Sequence, residues 1–286
     1  MNYKSPNSIE EATALLAAAN GNARILAGGT DLLVQIRGGF ANPELIIDVK
    51  NIPELRAITS GSDGIQIGAA VSGAELGEHP IVSKVWPGVV EATELIGSTQ
   101  IQGRASLGGN LCNASPAADT VPALVAAGAT CRVAGAKGER TVPVEEITTG
   151  PGSTSLGNDE FVVDFSFPAR PAHSGDAYLR FIPRTEMDIA VVGAGVSLTL
   201  AEDGSCKTAR VSLGAVAPTV VVLEEGANAL IGTKLDEDAL GKLDIAARAA
   251  CNPIDDKRGT VEFRTDVAGV LAKRAALIAK ERAEAN

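Results

Sequence analysis

Ile96–Leu124 reads IGSTQIQGRASLGGNLCNASPAADTVPAL, and the rest of the chain is best understood outward from it. Gly97, Gly103, Gly108 and Gly109 fall in a polar segment leading to Ser115-Pro116, a pair suited to the N-cap and first position of a helix. Glycine lets a backbone lie close to a ligand and turn its N–H groups inward, and a helix N-terminus adds partial positive charge. These are the features of a turn that holds a phosphate or pyrophosphate, with Ser106, Leu107, Gly108, Gly109 and Asn110 as the cradle. The pattern predicts a helix over 116–127, stopped by Gly128.

A second turn of this kind lies upstream. The apolar run Arg24, Ile25, Leu26, Ala27 reads as a strand that enters Gly28, Gly29, Thr30 and Asp31. Leu32, Leu33, Val34 and Ile36 then suggest a short helix with Thr30 or Asp31 as its cap. A single Gly-Gly pair is more often a plain tight turn. Two such turns, far apart in sequence, suggest one long phosphate-bearing ligand held between them.

The 286 residues suffice for two domains with sizeable cores. With 45% hydrophobic and 21% charged residues the composition is that of a globular protein, and only 3% aromatic residues argues against a stacking surface for single-stranded nucleic acid. A formal net charge of −10 argues against nucleic acid more generally, because phosphate backbones are held by Lys and Arg. The N-terminus lacks a secretory pattern, and no apolar run reaches the ~18 residues of a membrane span, so a cytoplasmic protein is expected. Cys112, Cys131, Cys206 and Cys251 are scattered without a C-x-x-C pair, so reduced thiols are expected and neither an iron–sulfur cluster nor a structural zinc.

Along the chain, Ser8 and Glu11 form a capping-box pattern ahead of a helix running to Asn20-Gly21. Leu45–Val49 reads as a buried strand, and 57–59 with 65–69 as a hairpin. Ser72–Leu95 is helical, interrupted at His79-Pro80 and Trp86-Pro87. Residues 130–134 and 140–142 form a second predicted hairpin, and 161–167 a strand. The Gly/Ser/Thr-rich stretch Thr148–Asn158 is either a linker or a functional loop. Beyond Pro168, strands at 177–182, 189–200 and 207–215 precede helices at 222–230, 236–250 and 261–283. The first part is α+β without a clean βαβ alternation, and the last is a small α+β unit with helices on one face of an antiparallel sheet.

No G-x-G-x-x-G, P-loop or G-x-S-x-G pattern occurs, and His79 and His173 are the only histidines. An ordinary dinucleotide site, a nucleotidase and a triad hydrolase are thereby disfavoured. Ala27–Leu32, Ser106–Asn110, Ala114–Asp119 and the later Arg184-Thr185-Glu186-Met187-Asp188-Ile189-Ala190 together resemble the FAD-binding medium subunit of the molybdenum hydroxylases, the carbon monoxide dehydrogenase and xanthine dehydrogenase family. The resemblance covers nearly the whole chain. One departure is Ser106-Leu107 where the family commonly has Thr-Ile.

The resemblance implies an α+β fold: an FAD-binding domain of the PCMH, molybdenum-hydroxylase flavoprotein type over 1–170, in two parts near 1–55 and 56–170, then a smaller domain over 171–286. It implies that Ile25–Leu32 and Ser106–Asn110 wrap the FAD pyrophosphate, with Thr30, Ser106 and Asn110 adding side-chain hydrogen bonds. Asp119 matches an acidic residue that holds a polar part of the cofactor, and Val162 and Arg180 fall near positions flanking it. Against this, Asp119 also reads as a first-turn acid favoured by the helix dipole, and Arg184 and Asp188 as a salt-bridged strand end. No residue is assigned a catalytic acid, base, nucleophile or metal-ligand role. The molybdenum cofactor and [2Fe-2S] clusters would reside on a large and a small partner subunit, in a dimer of heterotrimers, with this chain carrying electrons to an outside acceptor. A stand-alone flavin oxidase or reductase of related fold, and a non-enzymatic binding or assembly module whose Gly pairs are only turns, remain the alternatives.

Overall fold

The computed structural model describes residues 1–185 and 187–286; Glu186, within the stretch that resembles the family's second-domain motif, lies outside them. The first layer is a three-stranded parallel sheet of order β1-β3-β2, formed by β1 (Asn2–Lys4), β2 (Ala23–Leu26) and β3 (Leu45–Asp48). Helices α1 (Ile9–Ala19) and α2 (Leu32–Arg37) connect them. Ser8 caps α1 by accepting from the Glu11 N–H, as the sequence predicts. Over this short span the alternation is βαβαβ, and its first strand is one the sequence does not announce. That strand is β1, whose Asn2-Tyr3-Lys4 is exposed and polar and carries no hydrophobic period.

The second layer is an antiparallel sheet of order β4-β5-β10-β6-β7. It consists of β4 (Ile58–Gly61), β5 (Gly64–Gly68), β6 (Thr130–Gly135), β7 (Gly138–Pro143) and β10 (Phe161–Pro168). Two very short strands, β8 (Thr148–Gly150) and β9 (Ser153–Thr154), pair with each other in the Gly/Ser/Thr stretch, which therefore lies within this part of the fold and is not a linker. Central β10 serves two cores. Phe161 and Val163 pack against the first sheet and α1, while Val162, Phe165 and Phe167 pack on the other face. A bulge between Val162 and Asp164 inserts the extra residue that resets the alternation.

Helices α3 (Gly73–Glu78), α4 (Pro80–Val85), α5 (Pro87–Glu94), α7 (Leu107–Cys112) and α8 (Thr120–Ala126) bury side chains in the core on that second face, and the short α6 (Thr99–Gln102) packs outside them on α3 and α5. The breaks at His79-Pro80 and Trp86-Pro87 fall where the sequence puts them, each proline opening the next helix. The predicted helix start at Ser115-Pro116 is wrong. The chain instead turns into α7 at Leu107 with Ser106 as N-cap, breaks after Cys112, and resumes helix only after Asp119. Ala114, at φ 50°, breaks the helical path between the two.

The last layer is a four-stranded antiparallel sheet, β11 (Ser174–Phe181), β12 (Val192–Leu200), β13 (Cys206–Gly214) and β14 (Val221–Val222), in that order. Helices α9 (Glu224–Leu230), α10 (Glu237–Ala249) and α11 (Val261–Ala285) cover one face, and α5 and α8 meet this sheet from the preceding part. Small residues make both approaches close. A Cβ at Gly175 would sit 1.9 Å from the Ala279 carbonyl oxygen on α11, and one at Gly195 would sit 2.5 Å from the Pro122 oxygen on α8. Among the described residues, no helix is long and apolar enough to cross a membrane.

Candidate functional site

The two glycine turns meet. A Cβ at Gly28 would lie 1.9 Å from the carbonyl oxygen of Arg104, so the chain beside the second turn touches the first backbone to backbone. Gly29 has φ +80°, a conformation that favours glycine, and its carbonyl accepts from the Leu33 N–H at 3.1 Å to open α2. Asp31 holds the N-cap position of that helix without a side-chain cap bond. Among the described residues the N–H groups of Gly28, Gly29, Thr30 and Asp31 have no backbone acceptor. Backbone donors left unpaired at a concave surface await a ligand or water.

The second turn is more occupied. The Gly108 N–H donates to the Ala69 oxygen at 3.1 Å, and a Cβ there would approach that same oxygen to 2.6 Å. Ser106 Oγ accepts from the Gly109 N–H at 3.1 Å. Asn110 Oδ1 accepts from Thr120 N at 3.1 Å and from Thr120 Oγ1 at 2.6 Å, leaving the Asn110 amide nitrogen for the crevice. Both flanking helices, α2 and α7, are six residues long, so aligned local amides rather than a long helix dipole are what this site offers an anion.

Between the turns runs a crevice of about 670 Å³, within the ordinary range for a bound cofactor. Of the candidate residues, Ile25, Ala27–Leu32, Ser106, Gly108–Asn110 and Val162 line it. Leu26 and Leu107 do not; both are buried beneath the turns they belong to. Arg24, Gln35, Phe40, Ile96, Asn113, Gly152 and Leu156 line it too and were missed. Gln35 and Asn113 bridge the two turns, Nε2 donating to Oδ1 at 2.9 Å. Gln35 lies one helical turn beyond Leu32, a spacing that could have flagged it, and Gly152 and Leu156 belong to the stretch already suspected of being a functional loop.

Asp119 and Arg180 lie outside the lining, in a buried cluster linking the second turn to the last sheet. Arg180 Nη1 donates to Asp119 Oδ2 at 3.0 Å and to the Leu95 oxygen at 2.8 Å, and the Tyr178 hydroxyl donates to Asp119 Oδ1 at 3.2 Å. Burial pushes the Asp119 carboxyl up to about 6, against the opposing pull of Arg180 and Tyr178. The cluster abuts the site: Asp119 immediately precedes Thr120, which bonds Asn110 in the crevice wall. Asp188, by contrast, is a salt-bridged turn residue ahead of β12. It accepts from Arg184 Nε and Arg258 Nε, each at 3.1 Å, and these bonds hold its carboxyl well below the usual range.

The geometry defines a class of protein, one in which two distant backbone turns meet over a single crevice. The family of FAD binding domains in molybdopterin dehydrogenases matches residues 1–170, and that of carbon monoxide dehydrogenase flavoprotein C-terminal domains matches 177–279. The chain is 34% identical over 274 residues to the carbon monoxide dehydrogenase medium chain of Hydrogenophaga pseudoflava, spanning 96% of this chain and 94% of that one. It is 32% identical over 261 residues to a putative xanthine dehydrogenase FAD-binding subunit of Escherichia coli, spanning 91% and 89%. The solved carbon monoxide dehydrogenase from Hydrogenophaga pseudoflava superposes with a TM-score of 0.94 over 99% of this chain and 98% of its own. Quinoline 2-oxidoreductase from Pseudomonas putida 86 does so at 0.90, with 27% identity.

The chain therefore belongs to the FAD-binding subunits of the molybdenum hydroxylase family. It is an oxidoreductase flavoprotein whose relatives include carbon monoxide dehydrogenase medium chains.

Proposed function

We propose that this chain is the electron-relaying flavin subunit of a heteromeric molybdenum hydroxylase. Substrate is oxidised on a molybdenum-bearing large subunit, a small subunit with [2Fe-2S] clusters passes the electrons on, and this chain delivers them to an external acceptor. The assembly is a dimer of heterotrimers, and the FAD-binding part of the chain ends near residue 170. The observation that carries the reading is the meeting of two distant glycine turns over one crevice, with four amides on the first that have no backbone acceptor among the described residues. The bound flavin supplies the redox chemistry, including the ability to exchange electrons one or two at a time.

The chain's own residues hold and orient. Amides of Gly28–Asp31 and the hydroxyl of Thr30 would hold the pyrophosphate from the first turn. Ser106, whose oxygen already accepts from Gly109, would donate its proton, and the Asn110 side-chain amide would donate from the second turn. Ile25, Ala27, Leu32 and Val162 supply apolar walls. Leu26 and Leu107 brace the turns from below. Asp119 and Arg180 fix the second turn against the last sheet.

Purified from its native source, the chain is expected to co-elute with molybdenum and iron, and the visible flavin band is expected to bleach when the complex meets its substrate without an acceptor. A colourless chain that takes up no added FAD overturns the flavin assignment. A flavin that stays oxidised while the iron–sulfur signal is reduced overturns the relay.

A further inference from the structure

Ala27 immediately precedes the first glycine pair, and its carbonyl lies beyond the β2–β3 ladder, which ends at Leu26 opposite Asp48. That carbonyl accepts from Lys50 Nζ at 2.9 Å. The same ammonium donates to Asp48 Oδ1 at 2.6 Å, which also accepts from the Lys50 backbone N–H at 3.1 Å, so the carboxylate folds the lysine back over its own turn. The other Asp48 oxygen accepts from the Tyr3 hydroxyl on β1 at 2.5 Å. The Lys50 and Asp48 side chains are only 20% and 11% exposed, so the pair acts with little competition from water. Burial pushes the Asp48 carboxyl up, but the bonds from Lys50 and Tyr3 outweigh it and hold the group ionised.

The Ala27–Gly28 peptide is planar and trans, so its oxygen and its N–H point in opposite directions. Fixing the oxygen on Lys50 fixes the direction of the Gly28 N–H, which has no backbone acceptor among the described residues. Glycines on the far side of this peptide give it little resistance to flipping. A flipped peptide would present a carbonyl where an anion needs a donor.

We propose that Lys50, seated by Asp48 and Tyr3, is a positioning residue for the cofactor diphosphate: it locks the Ala27–Gly28 peptide with its N–H toward the crevice. The inference rests on the flavin reading and deepens it. Lys50 contributes pre-organisation, since the loop is ordered before the ligand arrives.

The test uses the 286-residue chain stripped of FAD, then titrated with it. K50M keeps the aliphatic stem and removes the donor, and K50R restores one. Loss of a charge-assisted bond predicts an FAD dissociation constant raised about 10-fold or more in K50M, with substantial recovery in K50R. The phosphorus NMR of bound FAD reports on the diphosphate alone. At least one of its two resonances is expected to move in K50M while the flavin visible spectrum stays unchanged, a signature that a merely structural role would not produce. If K50M binds FAD with unchanged affinity and unchanged phosphorus resonances, the proposal fails. Should K50M not fold, D48N, which keeps the ammonium but loosens its seat, decides by the same two measurements. A wild-type chain that binds no FAD would sink the flavin reading itself, an outcome distinct from a wild type that binds and a variant that binds equally well.

Discussion

The two glycine turns look alike in sequence and differ in what glycine does in each. At the first, Gly28 is required by contact and Gly29 by conformation: one nearly touches the Arg104 oxygen and the other sits at φ +80°. Its amides have no backbone acceptor among the described residues, and the strand end beneath is tied down by Lys50. At the second, the chain is entering α7. Gly108 is pressed against Ala69, but a Cβ at Gly109 would meet only the Ser106 oxygen, at 3.3 Å. One turn presents donors to the crevice; the other is mainly a braced wall. A dipeptide therefore says that a backbone is close to something, and only the structure says whether that is protein or ligand space.

The largest expected effect comes from breaking the contact between the turns. In G28A the added methyl meets a backbone carbonyl that cannot swing aside, so the turns must separate. We expect a stability loss of about 3 kcal/mol, the upper range for overpacking, and no retention of FAD through gel filtration. G28A that stays yellow would show that the two turns are not jointly required.

Next in size is the cluster behind the second turn. Asp119 has its carboxyl raised from 3.8 to about 6 in the fold, so the folded chain holds that proton more tightly than the unfolded one. Its stabilising contribution is complete below the unfolded value and is lost as pH rises through about 6. D119N is expected to flatten the fall of thermal stability across that window. R180M leaves the carboxylate without its cation, so its destabilisation, about 3 kcal/mol where Asp119 is ionised, should shrink on acidification as the carboxyl takes up its proton. An R180M deficit that does not vary with pH would remove Asp119 as the titrating group.

The contact between the parts is set more loosely at the surface. Arg282 on α11 pairs with Glu91 on α5, whose Oε2 also accepts from the Tyr178 N–H at 3.1 Å. Both side chains are about one-third exposed, at 30% and 34%, so the pair is expected to contribute about 1 kcal/mol after solvent screening. E91Q should lower the melting temperature by about 2 °C and leave FAD affinity unchanged, in contrast to G28A.

Much of this was legible. Helix breaks at Pro80 and Pro87 have a covalent cause that sequence states outright, and both hairpins of the second sheet announce themselves by glycines at the turn between strand-like runs. Much of the crevice lining was legible beside the glycine pairs, Leu107 being the exception that turns into the core. What sequence did not show depends on long-range partners. Asn2–Lys4 becomes a strand only because β3 lies beside it, and Ser115-Pro116 carries a helix-start signal that the tertiary path overrides. Lys50 and Gln35 are ordinary polar residues until the fold delivers the Ala27 carbonyl and Asn113 to them.

The smallest effect sharpens the comparison most. In G109A the new methyl lies on α7, where, among the described residues beyond that helix's own backbone, it meets the Ser106 hydroxyl at 3.3 Å and needs only a small shift of that side chain, and alanine favours helix over glycine by about 1 kcal/mol. The apo chain should therefore be as stable as wild type or slightly more so. If the diphosphate lies against this turn, that methyl occupies its space, and FAD affinity should fall although stability does not. Calorimetry of the apo form alongside FAD titration separates the two. A variant unchanged in both would mean that Gly109 borders no ligand, leaving the first turn to hold the cofactor by itself.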